Sequence, residues 1–414
     1  MKILQVNQYY YPRGGADIYF LDLCRALENS GQEVAVFAMD HPKNLESIYS
    51  KYFVSRVSYN QQGLKDKLKT PGRVLYSLEA KRKFAKLLKD FQPDIIHCHN
   101  IYHHLSPSIL DVAKKQNIPV VMHLHDYKLI CPNHSLFTHN KPCEKCRPDK
   151  YYQCIKNSCV KNSLSASILA SVEMYLHHNI LKIYEQGVTT FIAPSNFMKN
   201  MAVSFGQDPR QIEVVYNPHN LDLKAANQEI GSYHKLGGYF LYFGRLSEEK
   251  GLNILIKAAA KAKQKIVIAG AGMIEADLKK LALDLKAPVE FVGFKSSGDL
   301  VELIRNSQAI IIPSICYENM PLSLLEALSL NKIALVSNIG GMPEVIQDGK
   351  NGYLFEAGNT DDLVDKINQL NNLAPDKRQL IETSAGETAK LFSPEKNLAA
   401  ILKIYKRLTK TATD

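Results

Sequence analysis

Residues 309 to 328 read Ala-Ile-Ile-Ile-Pro-Ser-Ile-Cys-Tyr-Glu-Asn-Met-Pro-Leu-Ser-Leu-Leu-Glu-Ala-Leu. A short apolar, β-branched run leads into a polar loop, and the loop leads into an apolar pattern with helical spacing. Pro321 favours a helix start at this point, and Asn319 is expected to cap the helix. The stretch therefore predicts one strand–loop–helix unit of a parallel α/β sheet.

The same alternation of strand and helix patterns runs along the whole chain. A long helical pattern at 163–184 precedes the last predicted strand of the first half. Strands are predicted at 3–6, 33–39, 95–98, 120–124, 190–193, 239–243, 266–269, 289–292, 309–312, 333–337 and 353–355. Two series of this kind predict two doubly wound, Rossmann-like α/β domains.

The length of the chain supports two domains, because 414 residues exceed what one hydrophobic core usually organises. Asn-Pro and paired glycines interrupt the pattern between residues 217 and 238, which is where we place the connection. The predicted domains are 1–220, with an insert at about 131–160, and 221–393. Residues 394–414 are predicted to form a C-terminal helix that packs back on the first domain.

The composition excludes several classes of protein. Apolar residues make up 45% and charged residues 22%, as in folded soluble domains and unlike disordered chains. No secretory signal pattern is present at the N-terminus, and the apolar run at 163–176 is short and interrupted by Glu173. We expect a cytoplasmic protein whose eight cysteines are reduced.

The positive charge is concentrated in one stretch. The net charge is +10, and residues 64–89 contain nine Lys or Arg against two acids. This stretch suits a peripheral contact with an anionic membrane at its inner face, and it equally suits a solvated helical face. The bases are not interleaved with a stacking platform, so we expect no nucleic-acid partner.

Charged side chains stand at the predicted carboxyl ends of two strands. Glu318 follows one strand, and Glu326 lies on the next helix. Arg245 and Lys250 follow another strand, where cations can neutralise a departing diphosphate. Free backbone amides of Met320, Leu322 and Ser323 would form an anion site. Carboxylates beside it would repel phosphate, so the two glutamates should instead accept hydrogen bonds from hydroxyl groups.

These segments together resemble the donor domain of glycosyltransferase family 4, which has the GT-B fold. The resemblance rests on Gly-Arg-Leu-Ser-Glu-Glu-Lys-Gly at 244–251, on Glu318 and Glu326 eight positions apart, and on Gly-Gly-Met-Pro-Glu at 340–344. It implies two domains that face each other across a cleft. It also implies a retaining, metal-independent hexosyltransferase that uses a UDP- or GDP-sugar and a glycan or lipid-linked acceptor in cell-envelope polysaccharide synthesis.

The resemblance assigns roles to individual residues. Arg245 and Lys250 would hold the donor diphosphate, Glu318 would bind hydroxyls of the donor sugar, and Glu326 would bind the ribose. The backbone near Phe294 would meet the base. The other donor-binding positions implied are Gly14, Gly15, Gly244, Gly270, Gly272, Asn319, Met320, Pro321 and Leu322.

The first domain would contribute a glycine turn and a histidine. Gly14 and Gly15 follow the first strand and open a helix, where a backbone amide can approach phosphate. His125 matches the histidine that the family places near the reacting sugar, and His123 would replace it if the register shifted by two residues. His97 and His99 would at most line the cleft.

Cysteines mark the insert. Cys143, Cys146, Cys154 and Cys159 form a C-x2-C-x7-C-x4-C pattern that could hold a structural zinc ion, although the second pair lacks the usual spacing. Iron–sulfur ligation and unliganded thiols remain open. A subset of family 4 enzymes resembles this chain in the insert.

Two other functions fit parts of the sequence. A nucleotide-sugar epimerase or a phosphorylase shares the two-domain layout without the full run of donor motifs. A basic, zinc-containing binding or scaffold protein would explain the net charge and the cysteines, but it would leave the paired glutamates without a role.

Overall fold

The computed structural model describes residues 1–56, 72–219, 238–295 and 297–410. Part of the basic stretch, 64–71, and the predicted boundary at residues 220 and 221 lie outside the described residues. The chain divides into two compact units. The first contains Met1–Ser135, Glu144–Val215 and Asn397–Asp414, and the second contains Leu136–Cys143 and Tyr216–Lys396.

The first unit is built on a six-stranded parallel sheet with the strand order β2-β1-β3-β4-β7-β8. Its strands are β1 (Lys2–Val6), β2 (Glu33–Phe37), β3 (Ile95–Cys98), β4 (Val120–His123), β7 (Thr190–Ala193) and β8 (Ile212–Val214). Its helices are α1 (Gly15–Asn29), α2 (Leu78–Phe91), α3 (Ser108–Lys115), α4 (Tyr152–Lys156), α5 (Leu164–Met174), α6 (Ile183–Gly187), α7 (Asn196–Ser204) and the C-terminal α15 (Pro394–Lys410).

Helix α15 completes the core of the first unit. Ile401 and Tyr405 are fully buried and pack with Ile3, Ile95 and Val121 from three strands of the sheet. Burial of large apolar side chains contributes about 1.5–3 kcal/mol each, so this helix is an integral part of the unit.

The second unit contains another six-stranded parallel sheet, with the order β11-β10-β9-β12-β13-β14, and a short hairpin. Its strands are β5 (Phe137–Thr138), β6 (Lys141–Pro142), β9 (Phe240–Phe243), β10 (Ile266–Ala269), β11 (Val289–Gly293), β12 (Ile310–Ile312), β13 (Ala334–Ser337) and β14 (Tyr353–Phe355). Its helices are α8 (Leu252–Ala262), α9 (Glu275–Asp284), α10 (Ser297–Asn306), α11 (Leu322–Ser329), α12 (Met342–Val345), α13 (Thr360–Asn371) and α14 (Pro375–Ala389).

Consecutive residues of the central strand β9 show why its sequence is continuously apolar. Phe240 and Tyr242 belong to the core on one face of the sheet, and Leu241 and Phe243 belong to the core on the other face. Helices therefore cover both faces, as a doubly wound sheet requires. The α/β, GT-B class predicted from the sequence is confirmed.

The predicted strands are all present within two residues of their predicted ends, but four local features differ from expectation. Strand β8 and the β5–β6 hairpin were not predicted. The helical pattern at 163–184 is divided into α5, a π-helical segment at Tyr175–Ile180, and α6. Asn319 does not take the N-cap position of α11, because Pro321 in an extended conformation occupies it. None of the described helices combines the length and apolar composition needed to cross a bilayer.

Candidate functional site

Glu318 lies at the centre of a hydrogen-bonded group in the second unit. Its Oε1 accepts hydrogen bonds from Lys250 Nζ at 2.6 Å and from Ser314 Oγ at 2.6 Å. Burial alone would raise the pKa of Glu318, but the ammonium group and the hydroxyl outweigh it, and the net pKa is lowered. Burial would lower the pKa of Lys250, and Glu318 reverses that effect. Both groups are therefore charged at neutral pH.

The position of Lys250 is fixed by close contact between two loops. Lys250 ends a short 3₁₀ turn, and Gly251 follows in the left-handed conformation with φ +67°. A Cβ at Gly251 would lie 2.0 Å from the Pro313 carbonyl oxygen, so no side chain fits there. Ile315 N also donates to Glu249 O at 2.9 Å, which joins the loop after β9 to the loop after β12.

A third loop holds the backbone of Glu318. Gly341 N donates to Glu318 O at 2.7 Å. Gly340 has φ +68°, and a Cβ there would lie 2.4 Å from the same carbonyl oxygen. Glycine is thus required at position 340 for the loop after β13 to pack against Glu318, and position 341 contributes its backbone amide.

Arg245 occupies a more open position. Its guanidinium is largely exposed and pairs with Glu249 Oε1 at 2.8 Å, and that oxygen also accepts from Ser247 Oγ at 2.6 Å. Exposed pairs of this kind contribute at most about 1 kcal/mol. The guanidinium can therefore exchange Glu249 for a stronger anionic partner at little cost.

The glycines after β9 and β10 pack against the protein's own backbone. Leu246 N donates to Ala271 O at 3.0 Å, and Gly244 N donates to Ala269 O at 3.0 Å. A Cβ at Gly270 or at Gly272 would lie 1.9 Å from a carbonyl oxygen of the 244–246 loop. This packing accounts for both glycines, and a contact with the donor at these positions stays a prediction.

The start of α11 contains the remaining predicted donor-binding residues. Met320 is buried in the core, Pro321 is the N-cap, and Leu322 is the first helical residue. Glu326 lies one turn into the helix, and burial raises the pKa of this carboxyl to about 7. Phe294, beyond β11, is 81% exposed and is one of the most accessible aromatic side chains of the described chain.

In the first unit, the glycine turn begins α1. Gly14 is the N-cap of this helix and Gly15 is its first residue. A Cβ at Gly14 would meet no atom within 4 Å, so the protein itself does not require glycine there. Asp17 is in the first turn and accepts a hydrogen bond from Asn7 Nδ2 at 2.9 Å.

His125 belongs to a chain of buried polar side chains. His99 Nδ1 lies 2.8 Å from His125 Nε2, and His99 Nε2 lies 2.9 Å from Gln5 Oε1. Gln5 Nε2 donates to the Tyr405 hydroxyl at 3.1 Å, and that hydroxyl lies 2.6 Å from His97 Nδ1. His97 and His99 are completely buried, so the expectation that they line a cleft is wrong.

The hydrogen bonds determine the protonation of His125. With the Gln5 amide oriented as it is in the structure, its oxygen must accept from His99 Nε2–H. Nδ1 of His99 then accepts from His125 Nε2–H, which leaves the lone pair of His125 on Nδ1. Burial lowers the pKa of His99 and of His125 well below the usual histidine value, so both rings are neutral at neutral pH.

These histidines raise the question of a metal ion, because ligand atoms of His97, His99 and His123 lie within 4.8 Å of one another. The rings of His97 and His99 are stacked 4.3 Å apart with 29° between their planes. Imidazole lone pairs lie in the ring plane, so stacked rings do not direct them at one ion. Both nitrogens of His99 are also engaged in hydrogen bonds. The arrangement fits a hydrogen-bonded chain better than a metal site.

Among the described residues, the four cysteines of the insert do not form one cluster of possible metal ligands. A hydrogen bond from Cys159 lowers the pKa of the Cys154 thiol, so these two are in contact. Cys143 belongs to the second unit, whereas Cys146 belongs to the first with the other pair. Within the described residues, no group of three or more clustered metal-ligand atoms includes a cysteine. Zinc binding in the insert stays a prediction.

Sequence reasoning missed several polar residues that support the predicted ones. Gln5 and Tyr405 hold the histidine chain, and Lys128 forms an almost completely buried ion pair with Glu173 at 2.8 Å. Two features of the sequence could have drawn attention to them, namely the amide of Gln5 within an apolar strand and Lys128 within an apolar loop. Their partners are 400 and 45 positions away, so the pairing itself could not be inferred.

Comparisons with known proteins agree with this geometry. The model of Glycosyltransferase Family 4 matches residues 13–223, and that of Glycosyl transferases group 1 matches residues 231–386. The O-antigen chain mannosyltransferase C of Escherichia coli is 24% identical over 99% of both chains. A glycosyltransferase from Rickettsia africae ESF-5 has a TM-score of 0.71 at 20% identity, covering 99% of this chain and 98% of its own.

A second solved structure is Anabaena HepE in complex with UDP and glucose, with a TM-score of 0.66 at 19% identity over 98% of this chain and 100% of its own. Similarity at this level supports the GT-B fold, and the family model covers about half of the chain on its own. The chain therefore belongs to glycosyltransferase family 4.

Proposed function

We propose that the protein transfers a hexose from a UDP- or GDP-sugar to a glycan or lipid-linked glycan acceptor, with retention of the anomeric configuration and without a divalent cation. The observation that carries the proposal is the Lys250–Glu318 pair, which three loops of the second unit hold in place. A paired ammonium and carboxylate can bind a phosphate and sugar hydroxyls, respectively.

Each charged group has a distinct task in the proposed reaction. Lys250 and Arg245 stabilise the negative charge that develops on the leaving diphosphate. Glu318 accepts hydrogen bonds from the donor sugar, and Glu326 accepts them from the ribose. The amides at the start of α11 face the diphosphate as helix N-termini do. The backbone near Phe294 meets the base.

The proposed transfer needs no nucleophile from the protein. The acceptor hydroxyl oxygen bonds to the anomeric carbon on the face from which the diphosphate departs. The bond between that carbon and the phosphate oxygen breaks, and its electron pair stays with the diphosphate. A donor phosphate oxygen takes the hydroxyl proton. His125 contacts the reacting sugar through its Nδ1 acceptor, and the Gly14–Gly15 turn approaches phosphate.

The biological setting is part of the proposal. The E. coli relative is named for O-antigen synthesis, and HepE was solved with UDP, which supports a role in envelope polysaccharide synthesis and a nucleotide-sugar donor. If the acceptor is lipid-linked, the enzyme acts in the cytoplasm at the inner face of the membrane.

The test measures nucleotide diphosphate release from a panel of nucleotide sugars in the presence of EDTA, with candidate acceptors. We expect one donor to be turned over, and Glu318→Gln to lower turnover by about 10²-fold or more. Glu290→Gln is the matched control, because Glu290 forms an exposed ion pair with Lys265 at 2.9 Å. Equal activity of both variants would contradict the assignment of Glu318. Release only after a divalent ion is added would contradict metal independence.

Analysis of the products distinguishes the proposal from other reactions on the same fold. Nucleotide sugar altered in the sugar without any acceptor would indicate an epimerase, and sugar phosphate formed from a glycan and phosphate would indicate a phosphorylase. Arg245→Ala should lower turnover far more than donor affinity if its charge acts mainly on the departing diphosphate.

A further inference from the structure

Helix α5, Leu164–Met174, has three of its four large aliphatic side chains exposed. Its buried residues are Ser167, Ala170, Ser171, Glu173 and Met174, and all but Met174 are small or polar. Leu164, Ile168 and Val172 are 57%, 43% and 47% exposed and follow one another at four-residue intervals. Side chains four residues apart lie on one face of a helix, so these three form a continuous aliphatic stripe. Soluble helices normally have the opposite arrangement.

Polar contacts on the inner face fix this rotation of the helix. Ser171 Oγ donates to Tyr151 O at 2.9 Å, and Val160 N donates to Ser167 Oγ at 3.0 Å. Glu173 Oε2 accepts from Lys128 Nζ at 2.8 Å, and both side chains are at most 2% exposed. Turning the aliphatic stripe inward would break all three contacts and leave a buried lysine without its counter-charge. The outward stripe is therefore a built feature of the first unit.

The apolar surface continues beyond α5. Ile180, at the end of the π-helical segment, is 71% exposed, and Leu181 follows it at 40%. His177, in the same segment, lies 2.7 Å from Leu75 O through its Nε2, which ties this region to the residues that precede α2. Soluble proteins rarely concentrate exposed aliphatic side chains in this way unless something covers them.

The segment that contains the aliphatic stripe has a positive charge excess. Within residues 150–182, Lys150, Lys156, Lys161 and Lys182 are exposed and the one acid is the buried Glu173, whereas the acids Asp149 and Glu185 flank this range. Lysines at the edge of an apolar surface can extend their charged ends to anionic headgroups while their methylene chains stay in the apolar layer. In a symmetric contact between two copies of the chain, the same lysines would face one another.

We propose that the aliphatic stripe of α5 docks on an anionic lipid bilayer, with Leu164, Ile168 and Val172 in the interfacial layer and the exposed lysines of residues 150–182 on the headgroups. A lipid-linked acceptor would be presented at such a surface, so this inference deepens the proposed function. Vesicle binding is measured without donor or acceptor. Failure of docking and failure of the transfer reaction can therefore be told apart.

The absence of tryptophan from the chain permits a direct test. Ile168→Trp introduces one fluorophore in the stripe, and Leu380→Trp introduces one at a 70% exposed position of α14 in the second unit. Both variants are mixed with vesicles of phosphatidylglycerol and phosphatidylcholine. We expect a blue shift and quenching by brominated acyl chains for the probe at 168 and neither for the probe at 380. The effect should weaken with added salt.

A second set of variants tests how much the aliphatic side chains contribute to vesicle binding. Leu164→Ser, Ile168→Ser and Val172→Ser combined should lower the vesicle partition coefficient by about ten-fold or more. Leu283→Ser combined with Leu380→Ser removes exposed aliphatic side chains elsewhere and should leave it unchanged. Circular dichroism and gel filtration confirm folding of each variant.

Three results would overturn the proposal. The first is binding to anionic vesicles without quenching of the probe at 168, and the second is no binding even at low salt. The third is a blue shift without vesicles that grows with protein concentration, which would indicate that a second copy of the chain covers the stripe.

Discussion

The substitution Gly340→Ala should disturb the site because the new Cβ would overlap with the backbone of Glu318. Gly340 and Gly349 both have left-handed backbones, with φ +68° and +73°. A Cβ at Gly349 would meet no atom within 4 Å, whereas a Cβ at Gly340 would lie 2.4 Å from Glu318 O and 2.6 Å from Glu318 N. Gly349→Ala is therefore the matched control, because it has the same conformational strain without the overlap.

The magnitudes follow from these two differences. A left-handed alanine costs about 1–2 kcal/mol, and the loss of unfolded-state freedom offsets about 0.4–1 kcal/mol of it. Gly349→Ala should thus lower the free energy of unfolding by about 0–1.6 kcal/mol. Gly340→Ala adds an overlap with backbone that no rotamer change relieves, which costs about 1–3 kcal/mol more. The overlap also moves Glu318 relative to Lys250.

Two measurements check this reasoning. Urea unfolding gives the stability of each variant, and diphosphate release gives its turnover. A displacement of about 1 Å in a catalytic constellation can lower turnover by about 10²-fold, so Gly340→Ala should lose activity and Gly349→Ala should retain it. Equal losses of stability in the two variants, together with wild-type turnover for Gly340→Ala, would refute the role of the 340–344 loop.

Other parts of the structure give further expectations. In a double-mutant cycle on unfolding, Lys250→Met and Glu318→Gln should show a coupling of about 1–3 kcal/mol, and no coupling would contradict the buried pair. The matched control is the exposed pair of Lys265 and Glu290. Burial raises the pKa of Glu326 from 4.5 to about 7, so the folded protein holds this proton more tightly and loses stability as pH rises through about 7. Glu326→Gln should remove a decrease of about 2 kcal/mol between about pH 5 and pH 8, and an unchanged pH series would argue against it. Tyr405→Phe deprives Gln5 and His97 of a buried partner and should cost about 1–3 kcal/mol in urea unfolding, whereas a neutral effect would mean that water replaces the hydroxyl.

The elements that the sequence predicted best are those whose residues are buried on two faces. Strand β9 is apolar throughout because Phe240 and Leu241 enter different cores, and this leaves a pattern that can be recognised without the fold. Strand β8 escaped prediction because it has three residues, lies at the sheet edge, and contains the charged Glu213. A strand with one paired neighbour needs few apolar residues.

Local signals were less reliable where two of them competed. Asn319 is a good N-cap residue, but the residue before a proline is disfavoured in the helical conformation, so Met320 cannot belong to the helix. Pro321 consequently takes the N-cap position with ψ 122°. At 175–180 the apolar pattern continues through a π-helical segment, and Lys182 then ends the run in a left-handed conformation with φ +48°. Periodicity alone does not reveal such a break.

The residues of the candidate site were predicted individually, and strand order explains why they meet. In the second sheet β9, β12 and β13 are neighbours, so the loops that follow them carry Lys250, Glu318 and Gly340 to one edge although the chain separates the first two by 68 positions. From β9 the strand order proceeds to one edge of the sheet, and from β12 it proceeds to the other edge. This reversal leaves a gap at the carboxyl ends of the two strands. Ligands of open α/β sheets bind in such gaps.

The first sheet repeats this arrangement. Its strand order reverses between β1 and β3, Gln5 lies on β1, and His99 follows β3. The hydrogen bond between these two side chains crosses the reversal in the first unit, as the Lys250–Glu318 pair does in the second. In each unit, the paired side chains belong to strands that wind apart or to the loops that follow those strands. The same topological position thus supports an ion pair in one unit and a neutral histidine chain in the other, and the neighbouring charge decides the difference. Lys250 and Glu318 stay charged because each faces an opposite charge, whereas His99 is completely buried among neutral partners and other histidines, and its pKa is lowered.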